Sequence, residues 1–133
     1  MNILTHQEIN ESLCGTPVAV EPDFCRVELK TTESMGVDPQ GLVHGGFIFG
    51  LADYAAMLAV NDPNVVLGGA DVKFLKPVAV GEVVVAEAKI TEKKGKKQGV
   101  SVMVFRNDEA VFSGEFVCFV LDRHVLGQGR EKK

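Results

Sequence analysis

The alternation of hydrophobic and polar residues predicts a chain built mainly from strands around one apolar helix. Residues 47–60 read FIFGLADYAAMLAV, a run of helix formers that ends at Asn61-Asp62-Pro63. The predicted helix covers about residues 46–60 and is apolar on nearly all sides. A helix of this kind is enclosed by the rest of the protein, so we expect it at the centre of the core.

Strand-like segments make up most of the remaining chain. Four consecutive antiparallel strands are predicted after the helix, over residues 65–76, 82–93, 99–106 and 110–121. The turns at residues 94–97 and 107–109 are short, and short connections require antiparallel neighbours. Before the helix, one strand is predicted over residues 18–31 and a loop over residues 34–41.

The chain ends carry two smaller features. Thr5 and Glu8 have the spacing of a capping box, and Gly15 is a natural stop, so a short helix is predicted over about residues 6–13. A basic tail is predicted over about residues 125–133, with fraying expected from Arg130 onwards. The full order predicts a single α+β domain over residues 1–133, with a curved antiparallel sheet wrapped around one central helix.

Size and charge narrow the class of protein. The chain has 133 residues, 46% of them hydrophobic, which suits one domain with a sizeable core. The 14 Lys and Arg residues against 18 Asp and Glu residues give a net charge of −4, which argues against a nucleic-acid partner. The apolar run 47–60 is shorter than the roughly 17 residues that cross a bilayer, so no membrane association is predicted.

The cysteines and the N-terminus indicate the compartment. Cys14, Cys25 and Cys118 are odd in number and widely spaced, which is typical of reduced thiols. The start MNILTHQEIN lacks the basic and apolar regions of a signal peptide. A cytoplasmic location follows, and neither the cysteines nor the scattered histidines form a metal-ligand pattern.

Asp53 is the strongest candidate for chemistry, because it is a lone carboxylate in the middle of the apolar helix. Burying an unpartnered charge costs several kcal/mol, so such a residue usually has a function or a compensating bond. The alternative is that Asp53 caps a neighbouring backbone group or lies at a solvent-exposed rim. A carboxyl in an apolar pocket has a raised pKa and is a better base at neutral pH.

The residues just before the helix, Gly41-Leu42-Val43-His44-Gly45-Gly46, form a second candidate. Free N–H groups at a helix start, together with the helix dipole, can hold an oxyanion. Asp53 follows Gly46 by seven residues, or about 10 Å along the helix, so one subunit does not bring the two together. A second subunit packed antiparallel would do so.

This run, followed by Leu51-Ala52-Asp53, resembles the HGG and AD signature of hotdog-fold acyl-CoA thioesterases of the PaaI-like (phenylacetyl-CoA-type) branch. Phe74-Leu75-Lys76-Pro77 and Gly81-Glu82 also resemble that family. The resemblance implies hydrolysis of a CoA thioester at a dimer interface, in a homodimer or homotetramer, without metal or redox cofactor. It implies that Asp53 is the general base or nucleophile, that the Gly45 amide polarises the carbonyl and that His44 supports the loop.

Two positions depart from the family pattern. Asp38 stands where members commonly have Asn, which would place a second carboxylate near Asp53 and alter its pKa. Leu67 stands where some members have Ser or Thr. These departures leave open a non-catalytic acyl-CoA or acyl-carrier binding protein with a regulatory role. A dehydratase or hydratase fits less well, because those enzymes usually pair a catalytic His with a carboxylate in a different arrangement.

Further residues are candidates for substrate binding. Gly46 shapes the site, Tyr54 can line an acyl pocket, although core packing is the alternative, and Lys73 and Lys76 can meet the CoA phosphates. The run of lysines at residues 93–97 has the same possible role but is more simply a solvated turn. His44 likewise has a structural alternative, as a hydrogen-bonding group at the helix start.

Overall fold

A six-stranded antiparallel sheet curves around one long helix in the computed structural model, which describes residues 1–130. The α+β hotdog architecture predicted from the sequence is confirmed. The elements in chain order are α1 (Glu11–Cys14), β1 (Thr16–Glu21), β2 (Phe24–Lys30), a 3₁₀ turn (Glu33–Met35), α2 (Gly45–Val60), β3 (Val65–Phe74), β4 (Val83–Lys94), β5 (Lys97–Arg106), β6 (Glu109–Val120) and α3 (Val125–Arg130).

Helix α2 lies on the inner face of the sheet and forms the centre of the core. Its bounds, Gly45–Val60, agree with the predicted range to within one residue. Asn61 ends it in the left-handed conformation, with φ of 52°, and Pro63 prevents its continuation. The inward residues of the strands pack against it, among them Val27, Leu29, Val84, Ala86, Val102, Val104, Phe112 and Phe116.

The single strand predicted over residues 18–31 is wrong, because this region is a hairpin of β1 and β2. The two strands pair antiparallel up to Glu21 and Phe24. Pro22 lacks the N–H that a continuous ladder needs, and Asp23 adopts a positive φ of 64° that turns the chain. The clean alternation in the second half of this region concealed the turn.

The four strands after α2 form as predicted, but not in consecutive order. Strand β3 pairs with β6 rather than with β4, so the sheet order is β1-β2-β4-β5-β6-β3. Two-residue turns hold β4, β5 and β6 together as neighbours. The connection over residues 75–82 is long enough to cross from β3, at one edge of the sheet, to β4.

The ends of the chain differ from the expectation. Helix α1 begins at Glu11 instead of about residue 6, because Asn10 is the N-cap and accepts a hydrogen bond from the Ser12 amide. The Thr5 hydroxyl bonds the His6 ring instead of completing a capping box. The start of the predicted basic tail forms α3, and residues 131–133 of that tail lie outside the described residues.

Candidate functional site

The start of α2 presents a free backbone donor at Gly45. His44 is the N-cap, and its Nδ1 accepts the N–H of Gly46 at 2.6 Å. The next amide, that of Phe47, bonds the His44 carbonyl. Among the described residues, no acceptor takes the Gly45 N–H. The predicted supporting role of His44 thus has a concrete form, since the cap occupies Gly46 and leaves Gly45 as the available donor.

Backbone hydrogen bonds fix the segment that leads into α2. The amide of Val43 donates to the Val78 carbonyl at 2.8 Å, and the amide of His44 donates to the Met35 carbonyl at 2.9 Å. The amide of Val80 donates to the Gly41 carbonyl at 2.7 Å. The segment therefore lies between the 3₁₀ turn and the connection over residues 75–82, and the Gly45 amide has a defined position before any ligand arrives.

Asp38 organises this same loop. Its Oδ1 accepts the amides of Gln40 at 3.0 Å and Leu42 at 3.1 Å. The residue is exposed and lines a surface cavity of about 390 Å³ together with Glu82 and Arg106. The pKa of Asp53 is raised by burial alone, with no contribution from Asp38. Within one protomer, the two carboxylates thus serve separate environments.

Asp53 is half-buried on the one face of α2 that the sheet leaves open. That face carries Gly46, Gly50 and Asp53 at helical spacing. A Cβ atom added to Gly50 would have no other atom within 4 Å. No hydrogen bond or ion pair within residues 1–130 involves the Asp53 carboxylate. Burial raises its pKa above the ordinary value. Asp53 therefore caps no neighbouring backbone group within these residues, whereas its partly exposed position on the open face fits the alternative of a solvent-exposed rim in a single protomer.

Asp53 acts electrostatically on two thiols. Burial and then the Asp53 charge raise the pKa of Cys118 to about 12, and the same two causes raise the pKa of Cys14. Leu67 lies opposite Cys118 on β3 and faces the same side. A bulge follows at Gly68, where a Cβ would stand 2.3 Å from the Phe119 ring. Leu67 therefore presents an apolar side chain on the same face of the sheet as Cys118.

The separation between the two candidate groups follows from the unbroken helix. Gly45 and Asp53 are eight residues apart in α2, which is about 12 Å along the axis. A substrate carbonyl within hydrogen-bond distance of the Gly45 amide therefore lies out of reach of Asp53 in the same protomer.

A mostly apolar cavity of about 270 Å³ adjoins the Gly45 amide. The Phe74 ring forms its wall, only 3.1 Å from where a Cβ on Gly45 would stand. Phe74 packs edge-on against Phe112 yet remains 55% exposed. The cavity is lined by Leu42, Val43, Gly45, Ile48, Phe74, Leu75, Lys76, Pro77, Val78 and Val111. Its lining suits an apolar group beside the backbone donor.

The remaining predicted substrate residues are dispersed. Lys76 lies at the cavity and pairs loosely with Glu109 at 3.8 Å. Lys73 lies opposite Ser113 on the outer face of the sheet, away from α2. Tyr54 is buried and packs against the His6 ring at 6.2 Å. Only Lys76 is thus brought to the Gly45 end of the site.

Two lysines of the 93–97 run are paired with acids. Lys93 pairs with Asp23 at 2.9 Å, and Lys96 pairs with Asp122 at 3.0 Å. All four side chains are largely exposed. The solvated-turn interpretation therefore fits this run.

Sequence reasoning missed Arg106, which lies behind the loop. Its Nη1 donates to the Pro77 carbonyl at 2.6 Å and to Glu82 Oε1 at 3.1 Å, and its Nη2 donates to Glu109. Bonds from the Ala79 amide and then from Arg106 lower the pKa of Glu82, and Arg106 lowers that of Glu109. No local pattern marks Arg106, because its partners come from two other parts of the chain.

Neither a membrane-spanning helix nor a cluster of metal ligands is present within residues 1–130. None of the helices within residues 1–130 combines the length and apolar character needed to cross a bilayer. In the same range, no group of three or more His, Cys, Asp or Glu side chains is arranged to hold a metal ion. Cys14, Cys25 and Cys118 are free thiols.

The curved sheet around one helix defines a hotdog protein, and this helix has a free amide at its start and a half-buried carboxylate in its middle. The family model of the thioesterase superfamily matches residues 40–113, and the chain belongs to this superfamily. The match includes residues 40–44 before α2 and the whole of α2 with Asp53, whereas Asp38 lies outside it. The predicted membership of the PaaI-like branch is confirmed.

Two solved structures support the assignment. Protein PH1136 from Pyrococcus horikoshii has 54% sequence identity and a TM-score of 0.94, over 95% of this chain and 97% of that one. A mutant of the phenylacetic acid degradation protein PaaI from Thermus thermophilus has 25% identity and a TM-score of 0.77, over 84% of this chain and 96% of that one.

Curated relatives are longer than this chain. A protein from Aquifex aeolicus named methylthioribose-1-phosphate isomerase is 54% identical over 134 residues, which is 100% of this chain but 29% of that protein. The transcription factor FapR of a Thermoanaerobacter species is 32% identical over 95 residues, 71% of this chain and 48% of that protein. The chain thus spans less than a third of one relative and about half of the other.

Proposed function

We propose that this chain is an acyl-CoA thioesterase whose site is shared between two copies. The observation that carries the proposal is the half-buried Asp53 carboxylate, which has no partner within residues 1–130 and lies on the open face of α2. A free Gly45 amide on the same helix supplies the complementary donor. The apolar cavity beside Gly45 supports an acyl substrate.

In the proposed mechanism, Asp53 acts as general base on a water molecule. Water loses a proton to the carboxylate as its oxygen bonds to the thioester carbonyl carbon. The Gly45 N–H donates to the resulting oxyanion, which it stabilises more than the initial carbonyl oxygen. The tetrahedral species then expels the thiolate, which takes up the proton, and a carboxylic acid and free CoA result. Neither metal nor redox cofactor takes part in these steps.

A second copy of the chain is needed because Gly45 and Asp53 are too far apart in one protomer. Strand β3 forms an edge of the sheet, so its outer backbone groups are available for pairing. Two copies joined at β3 in a symmetric dimer would bring the open faces of their α2 helices together. Asp53 of each copy then works with Gly45 of the other, in a dimer or in a tetramer of dimers.

The raised pKa of Asp53 suits this role. Burial raises the pKa of Asp53 above the ordinary 3.8, and a carboxylate with a raised pKa is a stronger base. Free thiols are maintained in a reducing compartment, which supports a cytoplasmic location.

The test is release of free thiol from a panel of short, medium, long-chain and aromatic acyl-CoAs. We expect hydrolysis by the wild type and a loss of roughly 100-fold or more in kcat for Asp53→Asn. Asp108→Asn, in the exposed β5–β6 turn, is the matched control and retains full activity. Equal turnover by wild type and Asp53→Asn would rule out the mechanism.

A second candidate is a non-catalytic acyl-CoA or acyl-carrier binding protein with a regulatory role. The observation in its favour is Leu67, which leaves Asp53 without the hydroxyl that some family members have. The similarity to a protein named as a transcription factor also supports it. Under this hypothesis, calorimetry detects binding of the same esters while no thiol is released.

A further inference from the structure

The connection between β3 and β4, residues 75–82, is the backbone support of the loop before α2. It provides the carbonyl of Val78 for the Val43 amide, and the amide of Val80 for the Gly41 carbonyl, at 2.8 and 2.7 Å. A displacement of this connection therefore moves the loop and the Gly45 amide with it. Hydrogen bonds with two other residues already hold its ends, since the Leu75 and Lys76 amides donate to the Val111 carbonyl and the Thr31 hydroxyl donates to the carbonyls of residues 79 and 82.

Arg106, at the end of β5, adds charged side-chain bonds to this connection. It reaches the connection at two points, the Pro77 carbonyl and Glu82 Oε1, and is held from behind by Glu109 on β6. Glu82 Oε1 also accepts the Ala79 amide at 2.8 Å. One guanidinium group thus links residues 77 and 82, on either side of Val78 and Val80, to β5 and β6, in addition to the bonds from Val111 and Thr31.

We propose that Arg106 is a positioning residue, which fixes the Gly45 amide through the connection over residues 75–82. The proposal rests on the proposed function for its catalytic consequence. The fork of Arg suits this task, because its N–H groups point in fixed directions and can bridge a carbonyl and two carboxylates. Two carboxylates also offset its charge, so its role is internal rather than that of a contact for substrate phosphates.

The experiment compares Arg106→Met and Arg106→Lys with the matched control Arg26→Met. Arg26 also forms an ion pair across strands, with Glu87 at 2.9 Å, but on the outer face of the sheet. Hydrogen exchange of the Val43 and Val80 amides is measured on the free protein, and kcat and KM are measured with the best ester from the panel. Glu82→Gln is the second variant if Arg106→Met fails to fold, because it removes the charge and keeps an acceptor for Ala79.

We expect Arg106→Met to accelerate exchange at Val43 and Val80 while amides in the centre of β5 keep wild-type rates. A misplaced oxyanion donor lowers kcat by roughly 10- to 100-fold with little change in KM. Arg106→Lys partly restores both the slow amide exchange and the kcat, because its ammonium group replaces one of the bonds of the guanidinium group. Arg26→Met behaves as wild type.

If the Val43 and Val80 amides of Arg106→Met exchange at wild-type rates, the proposal is overturned. Faster exchange with unchanged kcat also overturns it, because Arg106 would then be structural only. If the wild type hydrolyses no ester, the proposed function fails separately. The exchange measurement on the free protein then decides whether Arg106 positions the Gly45 amide.

Discussion

The segment before α2 is largely exposed yet held by hydrogen bonds at Met35, Gly41 and Val43, whereas Asp53 in the middle of α2 is half-buried and has no partner among the described residues. In the segment, His44 and Asp38 use their polar atoms on neighbouring amides. Burial therefore does not separate the functional group from the structural ones here. The useful distinction is whether the polar atoms are already satisfied.

The difference suits the two tasks of the proposed reaction. An oxyanion donor works best when its position is fixed in advance, so that no reorganisation is needed during the reaction. A base works best when its proton affinity is raised, which burial without a partner achieves. Rigidity at one end of α2 and an unsatisfied charge along it are thus both expected of a hydrolytic site.

Removing the Gly45 N–H is expected to have the largest effect of the changes considered, and the quantity affected is kcat. Proline is tolerated at the first position of a helix, and His44 already has the extended conformation that precedes proline, with ψ of 130°. Gly45→Pro therefore removes the donor and keeps the helix, and kcat falls roughly 100- to 1,000-fold. Gly45→Ala is the matched control, since it adds a Cβ against Phe74 but keeps the N–H. Equal kcat values for the two variants would exclude Gly45 as the donor.

Mixing two inactive variants tests whether the fixed donor and the buried base come from different copies. In a dimer of Asp53→Asn with Gly45→Pro, one of the two shared sites has both groups intact. Random exchange makes half of the dimers mixed, so activity returns to about a quarter of the wild-type value. Thiol release is measured before and after subunit exchange. No recovery, with mixed dimers verified by mass spectrometry, would place both groups in one protomer.

Removal of the His44 side chain tests how much its bond with the Gly46 amide contributes to the free energy of unfolding. His44→Ala leaves the Gly46 amide without its acceptor and is expected to lower the free energy of unfolding by about 1 kcal/mol. His44→Asn keeps a capping side chain and remains within about 0.5 kcal/mol of the wild type. Urea unfolding at neutral pH measures both. If His44→Ala unfolds as the wild type does, the cap has no energetic role.

The smallest expected effects are changes in the free energy of unfolding when Asp53 or Asp38 is replaced by the neutral Asn. Folding raises the pKa of Asp53 above its unfolded value of 3.8. Ionisation of Asp53 therefore lowers the free energy of unfolding at pH values above the folded pKa, and this loss is absent at pH values below 3.8. Asp53→Asn therefore increases the free energy of unfolding at pH 7, and the gain disappears as the pH falls to 3.8. Asp38→Asn keeps both loop bonds and changes stability by less than about 0.5 kcal/mol. A pH-independent gain for Asp53→Asn would contradict the burial of its charge.

Much of the fold was accessible from the sequence because its strongest patterns are local. The apolar run of α2, its Asn-Asp-Pro end and the short turns of β4 to β6 each require only neighbouring residues. The hairpin of β1 and β2 was missed because the clean alternation after Asp23 was extended back across the turn at Pro22 and Asp23. The position of β3 was missed because its pairing with β6 is a long-range contact that no local pattern encodes.

The candidate site was predictable to the same extent. Asp53 and Gly45 stand out because a carboxylate in an apolar helix and glycines at its start are visible in one segment. Asp38 bonds the amides of its own loop within one protomer, and its approach to Asp53 across a shared site stays a prediction. Arg106 could not be found, since its acceptors at residues 77, 82 and 109 meet only in the folded chain.

The strand order also has a consequence for the kinetics of folding. Hairpins β4–β5 and β5–β6 close over two residues, whereas Val65 of β3 must find Val120 at the end of β6. Contacts between distant residues cost more loop-closure entropy and form more slowly than local ones. We therefore expect the β4–β6 meander to form early and β3, with the connection that supports the Gly45 loop, to dock late. A refolding chain would then acquire its secondary structure before its catalytic competence.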